Sequence, residues 1–179
     1  MSYPFSLCVV DTNVPIAANK KSDASDTCVM QCVDALQRIK ESGRVLLDYT
    51  RLVLGEYEHQ LSPSGQPGPG DEFLIWIYHN QATGRCVFVS ITPKPESYQD
   101  GIPFDFEEFP DHPDLRDFDR SDRKFVAVSA AHPDRPPILN ATDTDWYIAR
   151  KALAECGIEV EFLCPEIEEV HRKKTQKGS

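Results

Sequence analysis

Residues 6–14 read S-L-C-V-V-D-T-N-V, an apolar run that ends abruptly on Asp11 and two small polar residues. A continuous apolar run of this length is typical of a buried strand in a parallel sheet. In open α/β folds, the carboxyl ends of such strands form the edge where ligands bind. We therefore expect this strand to deliver the Asp11 carboxylate to a functional edge of the sheet.

Strand and helix patterns alternate over the rest of the chain. Apolar strand patterns follow at 44–48, 85–91, 136–141 and 158–163. Helical patterns lie between the caps at 22–25 and Gly43, at 50–61, from Asp71 to Gly84, at 123–131 behind Ser121 as N-cap, and at 146–156. Strands and helices that alternate over short connections favour a parallel sheet covered on both faces. The predicted fold class is α/β, a three-layer α/β/α sandwich with a central, mostly parallel five-stranded sheet.

A chain of 179 residues is long enough for one well-packed domain and short for two. We predict a single domain over 1–166, with an acidic loop insertion at about 92–119. From Glu96 to Asp119 there are nine acids against one base, Arg116, so this segment is predicted to be an exposed loop. Residues 167–179 are predicted to be a basic, flexible tail.

The formal net charge of -10 argues against a general cationic surface that holds nucleic acid by counterion release. A phosphate-bearing substrate would then need local help, which metal ions in an acidic pocket supply. The chain start lacks the pattern of a secretory signal, and no stretch approaches the length of a membrane span. We expect a cytoplasmic protein with no membrane partner.

The six cysteines lie inside apolar patterns, so we expect small core residues rather than a disulfide framework. Cys28 and Cys32 are one helical turn apart, but no histidine pair or C-x-x-C motif accompanies them, and the spacing does not predict zinc. The complete set is Cys8, Cys28, Cys32, Cys86, Cys156 and Cys164.

Four acids are predicted to face one pocket above the sheet. Asp11 and Asp143 follow two different strands, Asp122 lies at the first turn of a helix, and Glu56 lies on the second predicted helix. Carboxylates in one pocket repel and raise one another's pKa, which makes the arrangement costly without cations. Mg²⁺ and Mn²⁺ favour oxygen ligands, and a metal held this way generates hydroxide for attack on a phosphodiester.

The order V-V-D-T-N-V, L-G-E, S-D-R-K-F-V-A and A-T-D-T-D-W resembles the PIN domain family over nearly the entire chain. The resemblance implies a parallel sheet sandwiched by helices, and acids that bind divalent metal for RNA hydrolysis. Many members are VapC-like toxins of toxin–antitoxin pairs, and a homodimer is also implied. By motif position the family's acids correspond to Asp11, Glu56, Asp122 and Asp143. Asp119 and Asp145 are near neighbours that are either additional ligands or the actual ones.

Several of these residues also have a purely structural interpretation. Asp122, Asp143 and Asp145 open predicted helices, where a carboxylate stabilises the first turn. Thr12 and Asn13 either orient the carboxylate or a metal-bound water, or only form the turn. Basic candidates for contact with RNA near the site are Arg51, Arg120, Arg123 and Lys124, of which Arg123 and Lys124 are predicted to orient the substrate.

The same residues bear on three other functions. A haloacid-dehalogenase-type phosphatase needs a second aspartate where this chain has Asn13. A toprim-type nuclease would use a D-x-D pair such as Asp143 and Asp145, but its glutamate should follow the first strand. A PIN-like domain with little or no catalysis, binding a protein partner through the acidic segment, remains open. We expect a metal-dependent endoribonuclease acting on single-stranded or structured RNA, and the toxin of a pair if a cognate antitoxin exists.

Overall fold

Short parallel strands and helices of mixed length build the fold in the computed structural model, which describes residues 6–178. The predicted domain and tail also include residues 1–5 and 179, which lie outside the described part. The strands are β1 Val9–Val10, β2 Val45–Asp48, β3 Cys86–Val89, β4 Tyr98–Gln99, β5 Ile102–Pro103, β6 Ile138–Asn140 and β7 Val160–Phe162. The helices are α1 Asn13–Ala18, α2 Asp26–Ser42, α3 Leu52–Gln60, α4 Pro69–Asn80, α5 Arg123–Ala131, α6 Thr144–Glu155 and α7 Ile167–Lys177, with a 3₁₀ turn at Pro113–Leu115.

The fold is mixed α/β with parallel sheets, as predicted, but the sheet arrangement differs from the prediction. β1, β6 and β7 form a three-stranded parallel sheet in the order β1-β6-β7, and β2 and β3 form a separate parallel pair. The two sheets meet at one parallel bridge between Cys8 and Val45, where Leu46 N donates to Cys8 O at 2.9 Å.

The prediction of one five-stranded sheet is therefore wrong for the hydrogen-bonded ladder. The ladder is interrupted because β1 is short. β1 is two residues long, and the chain enters α1 immediately after Asp11 and Thr12. β2 meets this sheet at one partner residue, Cys8, while Val9 and Val10 pair with β6 on the other side. The sequence analysis missed α1, which begins at Asn13, a residue for which it considers only a turn or an orienting role.

The predicted helices form close to their predicted bounds, and their caps explain why. The Ser25 hydroxyl accepts a hydrogen bond from Cys28 N at 3.1 Å, and Gly43 ends α2. Helix α5 covers 123–131 as predicted, although its N-cap residue is Asp122 rather than Ser121. The predicted flexible tail instead contains α7, which packs on α6.

The acidic segment at 92–119 is not simply an exposed loop. Strands β4 and β5 form an antiparallel hairpin around Asp100 and Gly101, both at positive φ. The segment also contributes buried apolar side chains to the core, namely Phe106, Phe109, Leu115 and Phe118. Most of its acids are exposed, whereas Phe106, Phe109 and Phe118 are buried, so the count of charges alone hid a structured element.

A disulfide between Cys28 and Cys164 corrects the expectation that the cysteines serve only as core residues. The bond joins the first turn of α2 to the segment between β7 and α7, across a sequence separation of 136 residues. The sequence hid this pairing because partners so far apart leave no local signal. Of the free cysteines, Cys8, Cys32 and Cys86 are buried as expected.

Across residues 6–178, each helix is too short or too polar to cross a lipid bilayer.

We predict that Phe106→Ala lowers the free energy of unfolding by about 3–5 kcal/mol, because it removes a fully buried ring from the core. Tyr98→Ala in the same segment is the matched control, because Tyr98 is 51% exposed, and we expect a change within about 0.5 kcal/mol. Urea denaturation followed by tryptophan fluorescence measures both. Equal stability of the two variants would show that the segment lies outside the cooperative core.

Candidate functional site

The candidate site lies where the order of the parallel strands reverses. From β1 the chain moves outward to β2 and β3 on one side, then returns to β6 and β7 on the other. The point of reversal lies between β1 and β6, which are hydrogen-bonded neighbours. In open α/β sheets the crevice at such a switch point, beyond the carboxyl ends of the strands, is where ligands bind. Asp11 follows β1 at this point, and Asn140 ends β6 beside it.

Asp11 is a buried carboxylate, 4% exposed, and accepts hydrogen bonds from the end of β6 and from the start of α1. The Asn140 side-chain amide donates to Asp11 Oδ2 at 2.8 Å, and the backbone N–H of Asn13 donates to Asp11 Oδ1 at 3.3 Å. Both bonds fix the orientation of the carboxylate. Asn13 thus contacts Asp11 through its backbone N–H. Its side-chain oxygen instead accepts from Ala141 N at 3.0 Å.

Asn140 is a positioning residue that sequence analysis missed. Besides donating to Asp11, its side-chain oxygen accepts from Asp143 N at 2.9 Å. One fully buried amide therefore connects the turn that follows β1 to the turn that follows β6. A polar residue at the end of the apolar run I-L-N, next to a strand ending in aspartate, was the available signal.

Glu56 reaches the site from α3, and its carboxylate is bound by two residues that the sequence analysis named as site candidates. The Thr12 hydroxyl donates to Glu56 Oε1 at 2.7 Å, and the ammonium group of Lys124 on α5 forms an ion pair with Glu56 Oε2. Thr12 therefore orients a carboxylate, although it is that of Glu56 rather than Asp11. Lys124 also donates to the carbonyl oxygen of Ser121, so the fold places one cation of its own among the acids.

Asp122 lies at the start of α5, where the Trp146 indole N–H donates to its Oδ2 at 3.2 Å. Burial raises the pKa of Asp122 to about 7, and the neighbouring carboxylates of Asp143, Asp119 and Glu56 contribute to this rise. Three carboxylates thus act on Asp122. Trp146, fully buried, was not predicted as part of the site.

The pKa of Asp11 is also raised, first by burial and then by the charges of other acids. Asp122, Glu56 and Asp143 are the carboxylates that raise it. The four acids named from motif order therefore interact electrostatically with one another, although they lie on four separate elements. Asp143 and Glu56 likewise disfavour ionisation of Asp122, which is the expected behaviour of carboxylates in one pocket.

Asp143 and Asp145 occupy different positions at the start of α6. Asp143 is half-buried, and its Oδ1 accepts from Asp145 N at 2.9 Å, so it serves as the N-cap. Burial raises its pKa, which the charge of Asp145 raises and that of Lys174 lowers. Asp145 is exposed. The structural interpretation of Asp143 as a helix cap is therefore confirmed, and Asp145 lies farther out.

Asp119 and Arg123 are tied to the segment that precedes α5. Asp119 Oδ1 accepts from the Ser121 N–H at 2.8 Å and from its hydroxyl at 2.7 Å. The Arg123 guanidinium forms an ion pair with Asp105 at 3.2 Å and donates to Arg116 O at 2.8 Å. Arg123 thus anchors the 92–119 segment, while its neighbour Lys124 faces the acids.

Asp48 shows what a structural buried carboxylate looks like in the same fold. It ends β2 and is 1% exposed, but Leu52 N donates to one oxygen at 2.8 Å and Val53 N to the other at 2.9 Å. Both oxygens cap the start of α3. Asp48 is therefore held by the backbone of the helix that it caps, whereas Asp11 lies among three carboxylates that raise its pKa.

The four acids outnumber the cations beside them. Asp11, Glu56, Asp122 and Asp143 face two nearby ammonium groups, those of Lys124 and Lys174, which leaves a net negative charge when all are ionised. Their oxygens are the hard donors that Mg²⁺ and Mn²⁺ prefer.

A second cluster, of sulfur atoms, was missed by sequence analysis. The side chains of Cys28, Cys32 and Cys164 lie within 4.8 Å of one another and are fully buried. The disulfide uses two of the three sulfur atoms. Burial raises the pKa of the Cys32 thiol to about 12, so the thiol is protonated at neutral pH and serves as packing.

No family model, curated protein or solved structure matches this chain. The functional inference therefore depends on the geometry of the switch point and on the order of the motifs.

We predict that Asp122→Asn stabilises the protein in EDTA, and does so more at pH 8 than at pH 5. The Asp122 carboxyl group has a pKa of about 7 in the folded protein and 3.8 ordinarily, so the folded state binds the proton more tightly. Raising the pH from about 4 to about 7 therefore lowers the free energy of unfolding, and asparagine removes that loss. Urea denaturation at the two pH values measures the difference.

Asp23→Asn is the control, since Asp23 is exposed and remote from these acids in the chain, and its effect should be small at both pH values. A stabilisation by Asp122→Asn that is equal at pH 5 and pH 8 would contradict the mutual repulsion of the acids.

Proposed function

We propose that this protein is a Mg²⁺- or Mn²⁺-dependent endoribonuclease with the fold and acid set of a PIN domain. The observation that carries the proposal is the meeting of Asp11 and Asp143 at the switch point, linked through one buried asparagine, Asn140. Strand order across the bridge, β3-β2-β1-β6-β7, supports a PIN-like α/β/α sandwich. The electrostatic coupling of Asp122 and Glu56 to the same site gives independent support.

In this proposal Asp11, Glu56, Asp122 and Asp143 hold the metal, with Asp119 and Asp145 as outer candidates. The bound metal supplies a hydroxide nucleophile at neutral pH and stabilises negative charge on the phosphate. The residues of this chain position the ligands. Asn140 fixes the Asp11 carboxylate, Thr12 fixes Glu56, and the Trp146 indole fixes Asp122.

Lys124 has a distinct part in the proposed reaction. Its ammonium group neutralises Glu56 in the protein by itself, and it is only 13% exposed. When a divalent cation takes over that neutralisation, the ammonium group is free to contact a phosphate oxygen. Lys124 thus orients the substrate, whereas Arg123 supports it indirectly by anchoring the 92–119 segment to α5.

The proposed substrate, compartment, oligomeric state and partner come from the resemblance to PIN domains. The substrate is RNA, single-stranded or structured, and the protein works in the cytoplasm as a homodimer. A cognate antitoxin would make it the toxin of a pair. The structured 92–119 segment, with its buried phenylalanines, distinguishes this chain from compact toxin-like members.

A second candidate function is a PIN-like domain that binds a protein partner with little or no catalysis. The Lys124–Glu56 ion pair favours it, because the site then has a cation of its own. The outward-facing acids of the 92–119 segment would contact a basic surface of the partner. Metal-dependent cleavage of RNA distinguishes the two functions.

We predict that the purified protein cleaves fluorescently labelled RNA with Mn²⁺ or Mg²⁺, and that EDTA abolishes cleavage. Asp11→Asn should lower the rate by about a hundredfold or more, because a metal site supplies several kcal/mol of transition-state stabilisation. Asp23→Asn is the matched control, since it makes the same chemical change at an exposed position, and it should cleave as the unmodified protein does.

Thermal unfolding with and without Mn²⁺ provides a readout that does not depend on cleavage. The ion should raise the Tm of the unmodified protein and of Asp23→Asn, and raise that of Asp11→Asn much less. Cleavage that survives Asp11→Asn, or the absence of both cleavage and a Mn²⁺-induced shift, would refute the nuclease proposal. Retained binding of a basic protein partner would then favour the second candidate.

A further inference from the structure

A cavity of about 610 Å³ lies beside the four acids. Helix α3, the β4–β5 hairpin and the turn at 120–124 line it, and we call it the hairpin cavity. Glu56 and Lys124 belong both to its lining and to the candidate site, so the cavity opens next to the acids. Its volume lies within the range of about 300–1,000 Å³ that is usual for ligand sites.

The lining of the hairpin cavity has the opposite charge balance to the whole chain. Three basic side chains, Arg51, Arg120 and Lys124, face two acidic ones, Glu56 and Asp100, whereas the chain carries a formal net charge of -10. A locally positive surface beside an acidic site is what a polyanion requires in an otherwise acidic protein.

Arg120 is the cation available to a ligand. Lys124 is paired with Glu56, and Arg51 with Glu58 at 2.9 Å. Arg120 forms no ion pair among residues 6–178, and its exposed guanidinium lies over the ring of Phe104, with 4.6 Å from Cζ to the ring centroid. An arginine held over an aromatic ring offers donors to a phosphate and a flat surface to a base.

The hairpin supplies the apolar part of the cavity. Ile102 follows the Asp100–Gly101 turn and is 62% exposed, although it belongs to an acidic segment. Pro103 and Phe104 continue the same surface and are half-buried. An exposed isoleucine beside an aromatic ring at the mouth of a cavity fits the face of a nucleobase.

We propose that the hairpin cavity is the subsite for one nucleotide of a single-stranded RNA, adjacent to the phosphodiester held at the acids. Arg120 contacts its phosphate, and Ile102 and Phe104 contact its base. The inference rests on the proposed nuclease function and adds to it the position and strandedness of the substrate. It also gives the 92–119 segment a role, because the hairpin that closes the cavity is part of it.

Two pairs of variants test the subsite. Arg120→Ala is compared with Arg116→Ala, an equal loss of charge four residues earlier in the chain and outside the cavity lining. Ile102→Glu is compared with Ile148→Glu, because Ile148 is 63% exposed and lies on α6. Fluorescence anisotropy with a short labelled single-stranded RNA in EDTA gives the Kd of each variant. Cleavage with Mn²⁺ gives KM and kcat.

Arg120→Ala and Ile102→Glu should each raise the Kd by about tenfold, since a phosphate contact or a stacked base contributes roughly that factor. Both should raise KM more than they change kcat. Arg116→Ala and Ile148→Glu should stay within about twofold of the unmodified protein. Urea denaturation confirms that all four variants are folded.

The outcomes separate this inference from the nuclease proposal. If RNA binds and the two cavity variants weaken it, but no cleavage occurs, the subsite stands and the hydrolysis proposal fails. If RNA is cleaved and the cavity variants leave Kd and KM unchanged, the subsite is refuted and the nuclease stands. A free nucleoside monophosphate or a duplex RNA that binds as tightly as the single strand would also overturn the assignment.

Discussion

The structure of the site depends on a buried carboxylate held between two parallel strands. Asp11 leaves β1 at the switch point, and Asn140 at the end of β6 both donates to it and accepts from the turn that carries Asp143. A buried charge is costly unless it is paired or hydrogen-bonded. The fold compensates this cost only in part, because three further carboxylates raise the pKa of Asp11 rather than lower it.

Lys124 explains how the protein tolerates these acids. Its ammonium group pairs with Glu56 and lowers the pKa of Asp122, so one cation supplied by α5 offsets some of the repulsion. Asp48 provides a contrast, since that carboxylate is equally buried but both of its oxygens accept from the first backbone N–H groups of α3. Asp11 differs from Asp48 in that three further carboxylates act on it, whereas the oxygens of Asp48 accept from the helix that they cap. Functional sites commonly contain carboxylates whose pKa values are shifted in this way.

Local patterns made much of this fold predictable from sequence, and long-range contacts account for what was missed. Strand runs followed by acids correctly placed Asp11 and Asp143 at the same edge, because parallel strands share one carboxyl end. The Cys28–Cys164 disulfide left no local signal across 136 residues. The Asp100–Gly101 turn was a hairpin signal that the acidic composition obscured. The prediction of a single five-stranded sheet was wrong because no local pattern in the sequence shows that β1 ends after two residues.

The central claim is that these acids are arranged for a divalent cation. Anomalous diffraction from crystals soaked in Mn²⁺ tests it most directly. The account predicts one strong peak within about 2.0–2.2 Å of an Asp11 oxygen, shared with Asp143, and a Lys124 side chain released from Glu56. A well-ordered site with no peak, in which Lys124 remains paired with Glu56 at saturating Mn²⁺, would contradict it.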